Sequence, residues 1–226
     1  QSTLACDNSF YSMQNAQLKK LALTTPARNA PWNATWTNIG TAGASNMGAL
    51  AFNEGDSYLW GINLDNNLIR IGADGSQQIV DTIGDDLPAT TYSFSSAAYS
   101  ANKKMIFVAA TTTNTALYEV DTATLLPTVT KISERSTAPT GLRDLVIVGG
   151  FGYGVDATTQ KLLKLDLSTG LETATTFTGG TATQYNAAWY ANGKLYTQSA
   201  DLTKIYRFDS LTTPAPTLVA VGTSAT

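Results

Sequence analysis

The stretch LRDLVIVGGFGYGVDATTQKLLKLDLSTGLETATTFTG, residues 142–179, reads as four short strands separated by turns. The strands fall at 145–148, 151–156, 162–166 and 172–177, and each is an apolar, β-branched or aromatic run of strand length. Gly149-Gly150 divides the first pair, and an Asp-led turn, Asp166-Leu167-Ser168-Thr169-Gly170, divides the last. A lone four-stranded sheet of this size would leave both faces and its edges open. It therefore predicts further copies packed against it.

Three series of anchors carry those copies. An aromatic residue followed by a small one closes the second strand: Tyr11-Ser12, Trp60-Gly61, Phe107-Val108, Tyr153-Gly154 and Tyr196-Thr197. A pair of large apolar residues three apart marks the third: Leu18 and Leu21, Leu68 and Ile71, Leu117 and Val120, Leu162 and Leu165, Ile205 and Phe208. The unit closes at Ile39-Gly40, Ile83-Gly84, Ile132-Ser133, Phe177-Thr178 and Val221-Gly222. The series keep one order and a spacing of roughly 43 to 50 residues, the period of four-stranded propeller blades. Ala-rich inner strands precede the aromatics at 4–6, 49–52, 97–99, 145–148 and 187–189. The expectation is an all-β chain, a five-bladed β-propeller of four-stranded antiparallel blades in one domain over 1–226. The blades fall at about 1–43, 44–87, 88–139, 140–184 and 185–226. Closure is expected by packing of the first blade on the fifth, without a swapped strand; a sixth blade from further chain is the alternative.

Composition bounds the partners. The formal charge is −3, and lysine and arginine are scattered. No basic stripe invites nucleic acid or an anionic membrane. No apolar run approaches the ~20 residues of a membrane-spanning helix. Threonine, serine, asparagine and glycine are abundant and charges are few, as in many secreted and cell-surface β proteins. The first residue is Gln1, as expected of a mature chain after removal of a signal peptide. Cys6 is the one cysteine, so no intrachain disulfide forms.

Histidine is absent, which excludes a Ser-His-Asp triad and leaves acid–base work to carboxylates. Asn63 to Asn67 and Asp74 offer oxygens of a kind calcium accepts, yet neither has the spacing of a calcium loop. Asx turns account for both, so no cofactor is expected. Asp121, Asp166 and Asp209 recur at one repeat position and are read as turn caps. The channel mouth, where outer-to-inner connections gather, is the default site. It should draw on Asn46, Tyr92, Ser95, Arg143, Asp144, Tyr185 and Asn186. Arg143 and Asp144 either bind a ligand or pair with one another across the hub.

Two segments, NMGALAFN (46–53) with YLWG (58–61) and LIRI (68–71), and NAAWYANGKLY (186–196) with IYRFD (205–209), carry a resemblance. With DLV at 144–146 and YGVD at 153–156 they resemble an uncharacterised propeller-like domain of secreted and surface bacterial proteins, often found ahead of adhesin-type repeats. The resemblance spans nearly the whole chain. It implies a surface location and binding, and brings no catalytic residues. The chain also looks loosely like streptogramin-lyase-type propellers, which rely on a histidine absent here; five-bladed lectins share the blade count alone. The expected role is a secreted or surface binding and adhesion module for a glycan or an extended peptide, and not an enzyme. It would be part of a larger surface protein or a homo-oligomer. The alternatives are a self-assembling structural subunit and a carboxylate-based glycosidase or lyase.

Overall fold

Short apolar runs closed by Asn, Asp and Gly turns become strands throughout the computed structural model. It describes residues 1–5, 9–22, 32–87, 93–110, 114–135, 144–156, 158–182 and 184–225. Blade 1 holds β1 (Ser9–Gln14), β2 (Gln17–Ala22) and β3 (Trp32–Ile39). Blade 2 holds β4 (Met47–Asn53), β5 (Tyr58–Asn63), β6 (Asn67–Ile71) and β7 (Gln77–Thr82), followed by a single helical turn at Ile83–Asp86. Blade 3 holds β8 (Ser93–Tyr99), β9 (Met105–Ala110), β10 (Thr115–Val120) and β11 (Val129–Arg135). Blade 4 holds β12 (Val146–Val148), β13 (Phe151–Asp156), β14 (Lys161–Asp166) and β15 (Glu172–Thr176). After the short β16 (Thr178–Gly179), blade 5 holds β17 (Tyr185–Ala191), β18 (Lys194–Ser199), β19 (Lys204–Phe208) and β20 (Thr217–Ala225).

Blades 2 to 5 are antiparallel meanders with the inner strand first. The hairpins form where the sequence places them: Asn192 and Gly193 have φ of 52° and 75°, the left-handed pair that a two-residue hairpin needs. Burial falls outward. β5 and β9 are buried along almost their whole length, because a neighbouring blade covers each face, while β7 and β15 are largely exposed.

Five apolar clusters fill the five gaps between blades. Leu18 packs with Leu59 and Ile71 between blades 1 and 2, and Trp60 and Leu68 with Phe94 and Phe107 between blades 2 and 3. Val108 and Leu117 meet Leu145 and Leu165 between blades 3 and 4. Tyr153 and Leu162 meet Tyr185 and Tyr206 between blades 4 and 5. Phe10, Leu21 and Trp36 meet Tyr196 and Ile205 between blades 1 and 5. The ring thus closes by packing, as expected, with Phe10 stacked on Trp189 at 4.6 Å. It also closes through the main chain, which sequence did not suggest: β3 and β20 pair in parallel, Trp32 to Thr35 against Gly222 to Ala225.

Blade 1 departs from the expected plan. The sequence places residues 4–6 in its inner strand, but Leu4 and Ala5 are outside any strand, and Cys6 lies outside the described residues. Leu4 donates its N–H to the Ser57 carbonyl at 2.7 Å and buries its side chain against Leu59, Ile69 and Ile71. A short apolar run could satisfy itself there as well as in a strand. Ala73 N–H reaches the Ser2 carbonyl at 2.8 Å, so residues 1–5 cross the side of blade 2 where β4 turns into β5 and β6 into β7. The β1–β2 turn lies on the opposite face, its Ala16 carbonyl accepting from Gly43 N–H at 2.8 Å. β1 therefore runs against β4, β8, β12 and β17. It has the direction of a second strand and lines the channel, and blade 1 has three strands among the described residues.

Candidate functional site

The inner strands enclose a central channel of about 1230 Å³. The outer-to-inner connections and the second-to-third turns share one face. Leu64 N–H donates to the Asn46 carbonyl and Ala200 N–H to the Gln184 carbonyl, both at 2.9 Å. We call this the connection face and its opposite the turn face. Small residues line much of the wall between: Ala49 and Ala51, Ala97 and Ala98, Ala187 and Ala188. Gly48 shows how tight the hub is, because a Cβ there would lie 2.6 Å from the Phe94 carbonyl oxygen.

Three inner strands slip register at matching places: between Met47 and Ala49, between Phe94 and Ser96, and between Tyr185 and Ala187. The extra residues are Gly48, Ser95 and Asn186, and all three line the channel. A bulge re-aims its residue and bends the strand, which is how a side chain is turned toward a mouth.

Asp144 stands just before β12 on the connection side. Its Oδ1 accepts from Leu145 N–H at 2.8 Å, and its Oδ2 from Ala188 N–H at 2.6 Å, tying blade 4 to blade 5. Burial outweighs these two donors and pushes the carboxyl up to about 7. The group is thus poised between its two protonation states near neutrality. Among the described residues the other lining carboxylate is Glu54, which follows the end of β4 and so belongs to the turn face with Lys103, at the opposite mouth from Asp144.

Of the residues expected at the mouth, Ser95, Asp144 and Asn186 come together in the channel wall. Asn46 is exposed just ahead of β4, and its carbonyl is used by Leu64. Tyr185 is buried between blades 4 and 5, edge-on to Tyr206 at 5.5 Å, rather than in the channel. Burial pushes its phenol up to about 12. Tyr92 and Arg143 lie outside the described residues, and with Arg143 the ion-pair reading of Arg143 and Asp144. The wall also holds residues that sequence reasoning passed over. Trp189 packs flat on Phe10 and donates from Nε1 to the Tyr11 carbonyl at 3.3 Å. Tyr190 is 41% exposed. Tyr99 holds Thr122 Oγ1 through its hydroxyl at 2.7 Å, and burial raises its pKa strongly. Their signal was an aromatic inside an Ala-rich inner strand, masked by the aromatics that mark every second strand.

Asp121 Oδ1 accepts from Ala123 N–H, and Asp166 Oδ1 from Ser168 N–H and Oγ, so both cap their own turns. Asp209 instead pairs with Lys194 at 2.9 Å and Arg207 at 2.6 Å. Asn63 Oδ1 accepts from the N–H groups of Asp65 and Asn67, the Asx turn expected there.

Residues 10–226 match the family model described as a repeat of unknown function (DUF6923). The chain belongs to that family. Among curated proteins none matches this DUF6923 chain. Solved structures share its fold at low identity. A chain of the nidogen/laminin complex is 11% identical, with a TM-score of 0.54 over 96% of this chain and 97% of that one. A Bacteroides thetaiotaomicron protein of unknown function is 14% identical, with a TM-score of 0.57 over 88% of this chain and 56% of that one. The glutaminyl cyclase of Myxococcus xanthus is 11% identical, with a TM-score of 0.56 over 86% of this chain and 78% of that one. At these identities the likeness is one of fold, and the fold serves both binding proteins and enzymes.

Proposed function

We propose that this DUF6923 chain is a recognition module that takes an elongated, uncharged ligand, a glycan strand or an extended peptide, into its channel from the connection face. The channel carries the reading. It is walled by β-strands, small-sided along much of its length, with Ser95, Asp144 and Asn186 at one mouth and Trp189 and Tyr190 farther in. Hydroxyl, amide and carboxyl groups beside aromatic surface suit hydrogen-bonded recognition of a neutral chain. A carboxylate glycosidase needs two carboxyl groups within about 10 Å across the scissile bond. Asp144 and Glu54, at opposite ends of the inner strands, do not supply that arrangement. The threonine-rich, charge-poor composition supports a secreted or surface location and an adhesive role, with a sugar or protein partner.

The test is to screen the purified chain on glycan and peptide arrays and repeat it with Asn186→Ala. Selective binding that the variant weakens about tenfold or more is expected. If neither array retains a ligand, the recognition reading fails.

A second reading has its own observation. Leu125 and Leu126, between β10 and β11, are 97% and 82% exposed. Paired large apolar side chains in water favour self-association through the rim. Sedimentation of the chain against Leu125→Ser/Leu126→Ser checks it: a dimer or polymer dispersed by the double substitution supports assembly, and a monomer at every concentration ends it.

A further inference from the structure

The turn between β17 and β18 is Asn192-Gly193, the one Asn-Gly pair in the sequence. Both residues are exposed, and Asn192 lines the channel at its turn mouth, in company with Glu54, Lys103 and the Gly149-Gly150 turn of blade 4. The rung from Ala191 to Lys194 closes directly behind the pair, and both residues take positive φ. In a two-residue turn of this kind the N–H of the second residue takes no part in the ladder. Among the described residues nothing accepts the Gly193 N–H, and no hydrogen bond holds the Asn192 side-chain amide. A Cβ at Gly193 would meet no atom within 4 Å, so the space beside its nitrogen is open. Other asparagines are held or shielded. Asn53 is buried, and its Oδ1 accepts from Gly55 N–H at 2.8 Å. Asn63 is buried, and its Oδ1 accepts from the N–H groups of Asp65 and Asn67. Asn186 is exposed but precedes an alanine, whose methyl group crowds the nitrogen that would have to attack.

We propose that Asn192 is a self-modifying site, at which the main-chain nitrogen of Gly193 attacks Asn192 Cγ and the turn is converted to aspartate and isoaspartate without an enzyme. The N–Cγ bond forms, and the side-chain nitrogen leaves as ammonia, carrying the proton that the Gly193 nitrogen gives up. A five-membered cyclic imide results. Water then adds to one of its two carbonyls. Opening at the side-chain carbonyl gives aspartate. Opening at the main-chain carbonyl gives isoaspartate, with the chain now routed through Cβ and Cγ. In sum one water is consumed and one ammonia released, with no oxidant or reductant. Either product leaves a carboxylate at the turn mouth. Lys194, the cation of this hairpin, is already held by Asp209 at 2.9 Å, so the new charge is not cancelled within the turn. Isoaspartate also lengthens the turn by one main-chain atom, and the Ala191–Lys194 rung no longer closes. The inference stands apart from the recognition reading, because the step needs no ligand.

The experiment holds the purified, folded chain at neutral and at mildly alkaline pH in heavy-oxygen water and follows it by ion-exchange chromatography and peptide mapping. The expected result is an acidic form that accumulates with time, faster at the higher pH because the attacking nitrogen must lose its proton. The label sits at position 192, in a mixture of aspartate and isoaspartate, and conversion there runs roughly tenfold or more ahead of that at any other asparagine. Amide exchange should quicken at Ala191 and Lys194 in the isoaspartate form. Asn192→Gln, whose longer side chain must close a six-membered ring, should remain a single species, and Asn192→Asp should elute with the aspartate product. The free peptide Tyr-Ala-Asn-Gly-Lys-Leu-Tyr, residues 190–196, serves as the chemical clock. If the peptide is consumed while Asn192 of the folded chain is unchanged, the turn protects the pair and the proposal is overturned. It is overturned as well if another asparagine leads, or if Asn192→Gln gains the same acidic form at the parent's rate.

Discussion

At Asp144 two opposing effects meet. Burial favours the neutral carboxyl, and N–H donors from Ala188 and Leu145 favour the charged one; burial wins, raising the group from 3.8 to about 7. The folded chain therefore keeps a proton that the unfolded chain has released between about pH 4 and pH 7. The stability linked to Asp144 is complete below about pH 4 and is lost as pH rises toward 7. Asp166, held low chiefly by the Ser168 hydroxyl, and Asp201, held at about 2 chiefly by Ser199, work in the opposite sense and lose stability as pH falls through their folded values. Comparing thermal midpoints of the chain and Asp144→Asn from pH 4 to pH 8 separates the two. The variant should gain on the parent as pH rises, and parallel curves would show that the carboxyl does not titrate there. At this scale the sequence was an uneven guide. Turn caps such as Asp121 and Asp166 are local, so their spacing reveals them. Asp209 has the same place in its blade but finds Lys194 across the hairpin and Arg207 two residues back in its own strand. Tyr185 reads as a mouth residue until strand alternation turns its ring into the gap between blades.

The elements of blades 2 to 5 were legible because each is written locally. Strand-length apolar runs, Asn192-Gly193 and the aromatic anchors fix their order, and β13 and β14 fall within a residue of expectation. The bulges at Gly48, Ser95 and Asn186 were not legible. They answer to the register between neighbouring strands, which no single run encodes. Gly48 is the sharpest case. Gly48→Ala sets a methyl group against the Phe94 carbonyl, an immovable main-chain atom, where blades 2 and 3 approach. A loss of roughly 1–3 kcal/mol in chemical denaturation is expected. No loss would mean that the two inner strands separate freely there.

For the whole molecule, five gaps filled by five apolar clusters make stability a sum of neighbour contacts around a closed ring. The closing gap is the one place where the two ends of the chain must meet. Phe10 supplies its centre, against Trp189 and Tyr196. Phe10→Ala should cost about 3–5 kcal/mol and free the blade 1–blade 5 seam first. Amide exchange would then quicken along β3 and β20 before the β9 amides change; uniform quickening would show that the ring opens as one unit. Blade count and closure by packing follow from the period. The first blade, three-stranded among the described residues, does not, because its departure rests on where Leu4 finds a partner.

The reversed direction of β1 has a consequence for valency. Among the described residues four inner strands point one way and the channel-lining β1 the other, so the wall has one seam and no rotational equivalence. A ring of like blades offers a ligand as many sites as it has gaps, and so gains avidity from itself. On the recognition reading proposed above, this ring offers one. Calorimetric titration should give a single ligand per chain, and any multivalent grip must come from how many such chains are displayed together.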